Sequence, residues 1–238
     1  MIEVTLLGTG PSDGWPNPWC TCASCQWARA TPGARRGQTT ALVDRTLLID
    51  SGSVRRAHDD LSSVRTLLLT HAHPDHTDPQ PLLWRSWVDR SPLEVAGPPA
   101  ALDVCRGWTE ADVTWRPLHA GDEVVLASGH RVRALPAEHD PAMGPPLLYD
   151  IDERLLVLWD TAPPLPAISG PAREVVLLEC TSGDGPDLPG HHGFTAFARS
   201  IAELRRDGAV DDRTAVVPVH LGHRNPHGDE LERRFAAI

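Results

Sequence analysis

Short apolar segments separated by turn residues are the dominant pattern along the chain. A segment such as 64–70, in which Leu67, Leu68 and Leu69 follow one another, is typical of a strand that is covered on both faces. The predicted strands are 1–7, 40–43, 46–50, 64–70, 93–96, 123–127, 131–135, 147–150, 155–159, 174–178 and 215–219.

Helices are predicted at four places among and after these strands. The clearest is 195–206, where Phe197, Ile201 and Leu204 recur at helical spacing. The others are 82–88, 229–237 and a helix that contains Cys105. From this order we expect a single α/β domain over residues 1–238, an αββα sandwich in which two facing mixed β-sheets have helices on the outside.

Composition agrees with one large core and argues against several kinds of partner. The chain has 238 residues, of which 41% are hydrophobic, and a formal net charge of −10. Without a basic run, we expect neither broad nucleic-acid binding nor attachment to an anionic membrane. No apolar run has the length of a membrane span, and no secretory pattern opens the sequence, so a cytoplasmic protein is expected.

The candidate chemistry lies directly after the buried strand 64–70. His71, His73, Asp75 and His76 place three imidazoles and one carboxylate within six consecutive residues. His71 and His73 can converge on one metal ion while Asp75 and His76 turn toward a second. Asp75 can ligate or can orient a histidine, and a solvated histidine-rich turn is the alternative without metal.

This His-x-His-x-Asp-His run resembles the signature of the metallo-β-lactamase fold superfamily. The resemblance extends along nearly the whole chain, because further metal donors follow in the expected order. Those donors are His139, Asp160 and His220. The resemblance implies one ion on His71, His73 and His139, and a second on Asp75, His76 and His220, with Asp160 shared between them.

The same resemblance bears on the identity of the metal. Diiron redox relatives carry glutamate at the position of His73, so a histidine there favours zinc or manganese and hydrolysis. Two such ions hold a water between them, lower its pKa and supply hydroxide as the nucleophile near neutrality. They also make a small anionic substrate compatible with an acidic chain.

A second metal site is indicated near the N-terminus. Three of the five cysteines, Cys20, Cys22 and Cys25, are clustered, which favours zinc over buried or free thiols. The cluster is similar to one in the phosphoribosyl cyclic phosphate phosphodiesterases of the carbon–phosphorus lyase pathway, and this resemblance implies His223 as the fourth ligand of a structural zinc. Coenzyme PQQ synthesis protein B has a similar arrangement.

A proton donor for the leaving group is expected just before the helix 195–206. Resemblance to the phosphodiesterases implies His191, in Gly190-His191, as the general acid, with His192 as the other candidate. Asp75 is expected to have a catalytic role as well. Four histidines match no motif and are interpreted as surface or structural residues: His58, His119, His130 and His227.

These observations predict a dinuclear metal-dependent phosphodiesterase that acts on a small phosphorylated substrate, with a cyclic phosphate among the candidates. Three alternatives remain open: a metal-binding pathway protein like coenzyme PQQ synthesis protein B, a ribonuclease Z-like enzyme, and a lactone or thioester hydrolase. A homodimer is compatible with each of them. Arg35, Arg36 and Arg85 could bind a substrate phosphate, although solvated surface is the usual role of such residues.

Overall fold

The computed structural model describes residues 1–56, 60–185 and 188–238. The strands are β1 Val4–Gly8, β2 Thr40–Val43, β3 Leu47–Ile49, β4 Thr66–Leu68, β5 Leu93–Gly97, β6 Val113–Pro117, β7 Glu123–Val125, β8 Arg131–Pro136, β9 Leu147–Ile151, β10 Leu155–Leu158, β11 Val175–Glu179 and β12 Ala215–Val219. The α-helices are α1 Ala23–Ala30, α2 Gln80–Val88, α3 Pro99–Cys105, α4 Phe194–Arg206 and α5 Asp229–Ala236. No helix of the described ranges is both long and apolar enough to cross a membrane.

The strands form two six-stranded sheets, and both sheets are mixed. In the first, β1 to β6 follow one another in chain order, with antiparallel pairs up to β3 and parallel pairs beyond it. In the second, the order runs from β12 to β7, with parallel pairs among β12, β11 and β10 and antiparallel pairs after them. The predicted α/β sandwich is therefore confirmed.

Helices cover the outer face of each sheet. Between the sheets, Ile49 and Leu68 share one apolar cluster with Val157 and Leu177. Outside the second sheet, α1, α4 and α5 pack on β10 and β11, and outside the first sheet α2 and α3 pack on β3 and β4. The central strands are thus buried on both faces, which is the physical reason for their uninterrupted apolar runs.

Two elements were not predicted from the pattern of apolar residues. Helix α1 begins inside the cysteine cluster, where Cys22 is the N-cap and its sulfur accepts a hydrogen bond from the backbone N–H of Cys25. Strand β6 alternates in exposure and ends at Pro117, which an edge strand tolerates because its outer backbone groups are unpaired. Neither element carries the continuous apolar run by which the buried strands were identified.

Candidate metal centre

The predicted metal donors lie together at one edge of the sandwich. They follow the ends of four strands, β4, β8, β10 and β12, which bring distant parts of the sequence to the same place. At three strand ends the chain turns through a left-handed backbone conformation at a residue other than glycine: Asp50, Asp160 and His220, with φ of 59°, 57° and 56°. Such conformations cost roughly 1–3 kcal/mol each and are concentrated at functional sites.

The first group of donors consists of His71, His73 and His139. The Nδ1 atom of His73 lies 3.0 Å from the Nε2 atom of His71 and 3.0 Å from the Nε2 atom of His139. Ligands of one tetrahedral ion, held at about 2.0–2.1 Å, are separated by about 3.3 Å. The three imidazoles are therefore spaced as the ligands of a single ion.

The second group consists of Asp75, His76, His220 and Asp160. The Oδ2 atom of Asp75 lies 3.0 Å from the Nε2 atom of His76 and 3.6 Å from that of His220. Asp160 contacts both histidines, with Oδ2 2.7 Å from His76 and Oδ1 3.3 Å from His220. Asp160 also lies within ligand distance of His71 and of His139 in two further groupings. It is thus the carboxylate that both groups of donors share.

Three atoms of this second group are buried and make no hydrogen bond of acceptable geometry among the described residues, although each lies within ion-pair distance of another member of the group. They are His76 Nε2, Asp160 Oδ2 and His220 Nε2. A buried polar atom without a well-formed hydrogen bond costs roughly 1–3 kcal/mol, so three of them facing one another favour a ligand between them. Imidazole nitrogens and carboxylate oxygens fit a divalent metal ion, which would satisfy all three.

The ionisation of the donors also fits a cation. Burial and the neighbouring His76 hold the pKa of His71 well below its usual value, which keeps this imidazole neutral and able to ligate. Burial alone would raise the pKa of Asp160, but His220 and His76 hold it well below its usual value. Metal ligands must be deprotonated, and His71 and Asp160 meet this condition. Burial alone would lower the pKa of His76, but Asp160, Asp75 and Asp50 raise it well above its usual value, so a metal ion must displace a proton from this imidazole.

The second ring nitrogen of each histidine ligand candidate has a fixed partner. His71 Nδ1 lies 3.0 Å from the Thr70 hydroxyl, and His220 Nδ1 lies 2.8 Å from the Thr181 hydroxyl. His139 Nδ1 lies 3.1 Å from the carbonyl oxygen of Gly190, and His73 Nε2 lies 3.4 Å from Asp140. These contacts set the tautomers so that the remaining nitrogens converge on the centre.

Gly190 is required for one of these contacts. Its φ is +79°, and a Cβ atom at this position would lie 2.5 Å from His139 Nδ1. No side chain fits there unless His139 moves. The glycine of the Gly190-His191 pair therefore serves the histidine ligand candidate that faces it.

Asp50 was not identified from the sequence, although it contacts the centre through His76. It is fully buried, and its Oδ2 atom accepts hydrogen bonds from His76 Nδ1 at 2.7 Å, from the Thr70 hydroxyl and from Trp159 Nε1. Its Oδ1 atom accepts from the backbone N–H of Thr70. The signal for Asp50 in the sequence was its position, directly after an apolar strand and before Ser51.

Replacing Asp50 by asparagine should weaken metal binding while leaving every ligand candidate in place. The asparagine amide has a single acceptor oxygen, so it cannot accept the hydrogen bonds that the two carboxylate oxygens of Asp50 accept. The orientation of His76 is then lost, and metal affinity should fall about 10–100-fold, as for other outer partners of metal ligands. Competition with a chelator measures the change. Asp103→Asn, at an exposed residue paired with Arg106, is the control and should leave the affinity unchanged.

Glu179 is a second buried carboxylate that the sequence did not reveal. Its Oε2 atom lies 3.0 Å from Nδ1 of His191, and its Oε1 atom accepts a hydrogen bond from the backbone N–H of Thr161. Burial alone would lower the pKa of His191, but Glu179, followed by Asp160 and Asp75, raises it to about 9.

The structure separates the two candidates for the proton donor. His191 lines a cavity of about 190 Å³ together with Asp75, His139, Asp160 and His220. His192 is fully buried outside that lining, with Nδ1 2.7 Å from the carbonyl oxygen of Thr161 and Nε2 3.0 Å from the Ser200 hydroxyl. His191 is therefore the histidine that faces the metal donors.

The clustered cysteines meet His223 at a separate place. His223 Nδ1 lies 3.3 Å from the sulfur of Cys20 and 3.7 Å from that of Cys22, and Cys25 completes the group. Burial raises the pKa of Cys22, but the backbone N–H of Cys25 and the His223 side chain lower it to about 6. A soft Cys₃His set with one thiol already acidic fits a tetrahedral zinc ion.

The four unmatched histidines take no part in either group within the described ranges. His119 is exposed, whereas His130 is buried beside Ser128. The ring of His227 lies 5.2 Å from that of Trp27, and His58 lies outside the described residues.

Comparison with known proteins identifies a family domain and places the fold. Residues 43–157 match the Beta-lactamase superfamily domain. Ribonuclease Z of Mycobacterium sp. (strain KMS) is 29% identical over 197 residues, which cover 68% of this chain and 62% of that protein. The chain thus spans less than two thirds of the length of the curated relatives that head the comparison.

Two solved structures have the same fold over almost the whole chain. A diphosphatase from the PhnP family superposes with a TM-score of 0.72 at 20% identity, covering 98% of this chain and 91% of that one. Zn²⁺-bound PqqB from Methylobacterium extorquens superposes with a TM-score of 0.71 at 20% identity, covering 98% and 96%. At this level of identity the superpositions establish the fold alone.

Proposed function

We propose, from the match of residues 43–157 to the Beta-lactamase superfamily domain and from the geometry of the donors, that the chain is a dinuclear metal-dependent phosphodiesterase acting on a small phosphorylated molecule. The observation that carries the proposal is the convergence of seven donors, which include buried atoms of His76, Asp160 and His220 that make no well-formed hydrogen bond. Zinc and manganese both suit these nitrogen and oxygen donors.

The proposal assigns the donors to two ions. His71, His73 and His139 would hold one ion, Asp75, His76 and His220 the other, and Asp160 both. When bound, the ions supply a water nucleophile near neutral pH and electrostatic stabilisation of a phosphoryl oxygen.

His191 is the proton donor of the proposed reaction. Its Nδ1 atom is bound to Glu179, so Nε2 is the nitrogen left to deliver a proton to the leaving oxygen. The Glu179 carboxylate keeps the imidazole protonated until transfer and fixes its plane. Asp75, between His76 and His220, keeps both rings in place as well as donating its own oxygen.

Turnover of bis(p-nitrophenyl) phosphate tests the phosphodiesterase proposal. The purified chain loaded with zinc or with manganese should release p-nitrophenol, and chelation should stop the release. A panel with a lactone and a thioester addresses the other hydrolase activities. Absence of phosphodiester turnover with either metal, while an ester is cleaved, would contradict the proposal.

The proposal also assigns a structural zinc to Cys20, Cys22, Cys25 and His223. Cys22→Ser tests it with little change to the helix, because serine is also a favourable N-cap for α1. The variant should lose about one zinc per chain and keep the other ions. Its Tm should fall by at least about 2–4 °C, the shift that 1 kcal/mol produces in a chain of this size. Cys105→Ala, in the apolar cluster beside α3, should leave the zinc content unchanged.

Ribonuclease Z-like cleavage of RNA is the second candidate, because the curated relatives bear that name. The acidic net charge had argued against nucleic acid, and the comparisons do not support that exclusion. A short RNA with a 3′ extension, assayed beside the nitrophenyl ester, separates the two candidates.

A metal-binding pathway protein without turnover remains the alternative from a different class. It predicts one zinc per chain, held by the cysteines, whereas the phosphodiesterase proposal predicts three metal ions. Metal analysis of the purified chain therefore distinguishes them.

The proposal also includes a single domain over residues 1–238, a cytoplasmic location and a homodimer. The apolar cluster shared by both sheets supports the single domain.

A further inference from the structure

A second polar cavity shares a loop with the cavity of the metal donors. Its volume is about 280 Å³, and its lining includes Asp13, Arg29, Arg35, Arg36 and Gln38. Ser12, the residue before Asp13, lines the cavity of the metal donors. The two cavities are thus lined by consecutive residues of one loop, and the Gln38 side chain fixes this loop by donating a hydrogen bond to the carbonyl oxygen of Ser12.

Arg36 is held rigidly in this cavity. Its backbone exchanges hydrogen bonds with that of Trp15 in both directions, and its guanidinium carbon lies 5.6 Å from the centroid of the buried Trp15 ring. Its Nη1 atom donates to the Thr9 hydroxyl at 2.7 Å. The carbonyl oxygen of Thr9 accepts from the backbone N–H of Leu221, next to His220. The position of this cation is therefore fixed relative to the metal donors.

The guanidinium of Arg36 has unused hydrogen-bonding capacity. Its Nε atom is buried and has no hydrogen-bond partner, and within the described ranges no carboxylate is paired with Arg36 or with the exposed Arg35. Arg29 is different, because its guanidinium donates to the carbonyl oxygens of Asn17 and Cys20.

One carboxylate does line the cavity. Asp13 accepts a hydrogen bond from the Asn17 side chain at 2.6 Å and lies 3.8 Å from His223, so its charge is directed to the opposite side of the loop. Two unpaired arginines side by side are notable in a chain of net charge −10. A guanidinium with free donors binds oxyanions through paired hydrogen bonds.

We infer that Arg36, assisted by Arg35, binds a second oxyanion that the substrate carries beyond the scissile phosphodiester. This inference rests on the proposed function and deepens it, since it limits the substrates to molecules with two anionic groups. The second group is the terminal phosphate of a small molecule or the next phosphate of an RNA strand. Both groups are phosphates, so both offer the guanidinium the same kind of acceptor oxygen.

A matched pair of substrates tests the inference. The p-nitrophenyl ester of thymidine 5′-phosphate has one phosphate, and the same ester with a 3′-phosphate has two. The metal-loaded protein should prefer the second through a lower KM, and Arg36→Ala should remove about tenfold to a hundredfold of that preference, the range for a charge-assisted hydrogen bond. Arg35→Ala should remove part of it and does not disturb the Trp15 contact.

A binding measurement accompanies the kinetics. Thymidine 3′,5′-bisphosphate should bind the metal-free protein, and both arginine variants should weaken its binding. Arg131→Ala is the control for loss of charge, because Arg131 is exposed at the far end of β8, about 17 Å of strand from the end that leads to His139.

The outcomes separate this inference from the proposed function. If bis(p-nitrophenyl) phosphate is cleaved but the added phosphate gives no preference, or Arg36→Ala and Arg35→Ala leave the preference intact, the second site is wrong and the phosphodiesterase stands. If no phosphodiester is cleaved, yet the bisphosphate binds in an Arg36-dependent way, the phosphodiesterase proposal is wrong and the second oxyanion site stands. Preference for a dinucleotide over the mononucleotide ester assigns the second oxyanion to RNA.

Discussion

Asp160→Asn should reduce kcat/KM for bis(p-nitrophenyl) phosphate by at least about 10³-fold, a larger loss than the 10–100-fold typical of outer partners of metal ligands. Asp160 is the carboxylate nearest to both groups of donors, so its neutral replacement removes a charged ligand from each proposed ion. Metal analysis should show fewer than two ions at the centre, with the zinc of the cysteine cluster retained.

The fold should survive this substitution, which makes the result interpretable. Asp160 adopts a φ of 57°, and asparagine is among the few residues that tolerate the left-handed region well. Asp152→Asn is the matched control, because Asp152 has a φ of 54° in the hairpin between β9 and β10 and contacts no metal donor candidate. Unchanged metal content and activity in Asp160→Asn would show that the bridging assignment is wrong.

His191→Ala should lower kcat by about 10²–10⁴-fold while both ions of the centre stay bound. The reason is that the leaving oxygen loses its proton donor, whereas the seven donors assigned to the ions are untouched. The loss should be smaller for p-nitrophenol, a good leaving group, than for an alkyl leaving group that depends more on protonation. Glu179→Gln should lower kcat in the same direction, because the imidazole loses its carboxylate partner.

Metal content decides between two roles for His191. Its ring nitrogen also lies within ligand distance of His139 and Asp160, so it could serve as an eighth donor. If His191→Ala loses an ion, the residue is a ligand and the proton donor must be sought elsewhere. His119→Ala, at an exposed histidine, controls for the loss of an imidazole and should have no effect.

The metal donor candidates could be proposed from the sequence because their signals are local. Four of them occur within six residues, and Asp160 and His220 each follow a recognisable apolar strand. The fold class followed from the same apolar segments. Boundaries were less accurate: β4 covers Thr66–Leu68, whereas the apolar run extends over 64–70.

Asp50 and Glu179 could not be predicted in the same way. Each is a single carboxylate at or near the end of an apolar strand, and its role depends on a partner that tertiary structure brings close. His76 is separated from Asp50 by 26 positions and His191 from Glu179 by 12. The cavity lined by Arg35 and Arg36 is a similar case, since only the contacts of Thr9 with Arg36 and with Leu221 relate this cation to the metal donors.

The contact between Cys20 and His223 joins residues 203 positions apart. On a ribosome that adds about 5–20 residues per second, the cysteine loop therefore waits roughly 10–40 s for its histidine. During that interval three thiols are exposed to oxidants and to free metal without their fourth partner. His220, three residues before His223, is synthesised at almost the same time. Under the proposed ligand sets, neither metal site can be completed before this part of the chain has been synthesised.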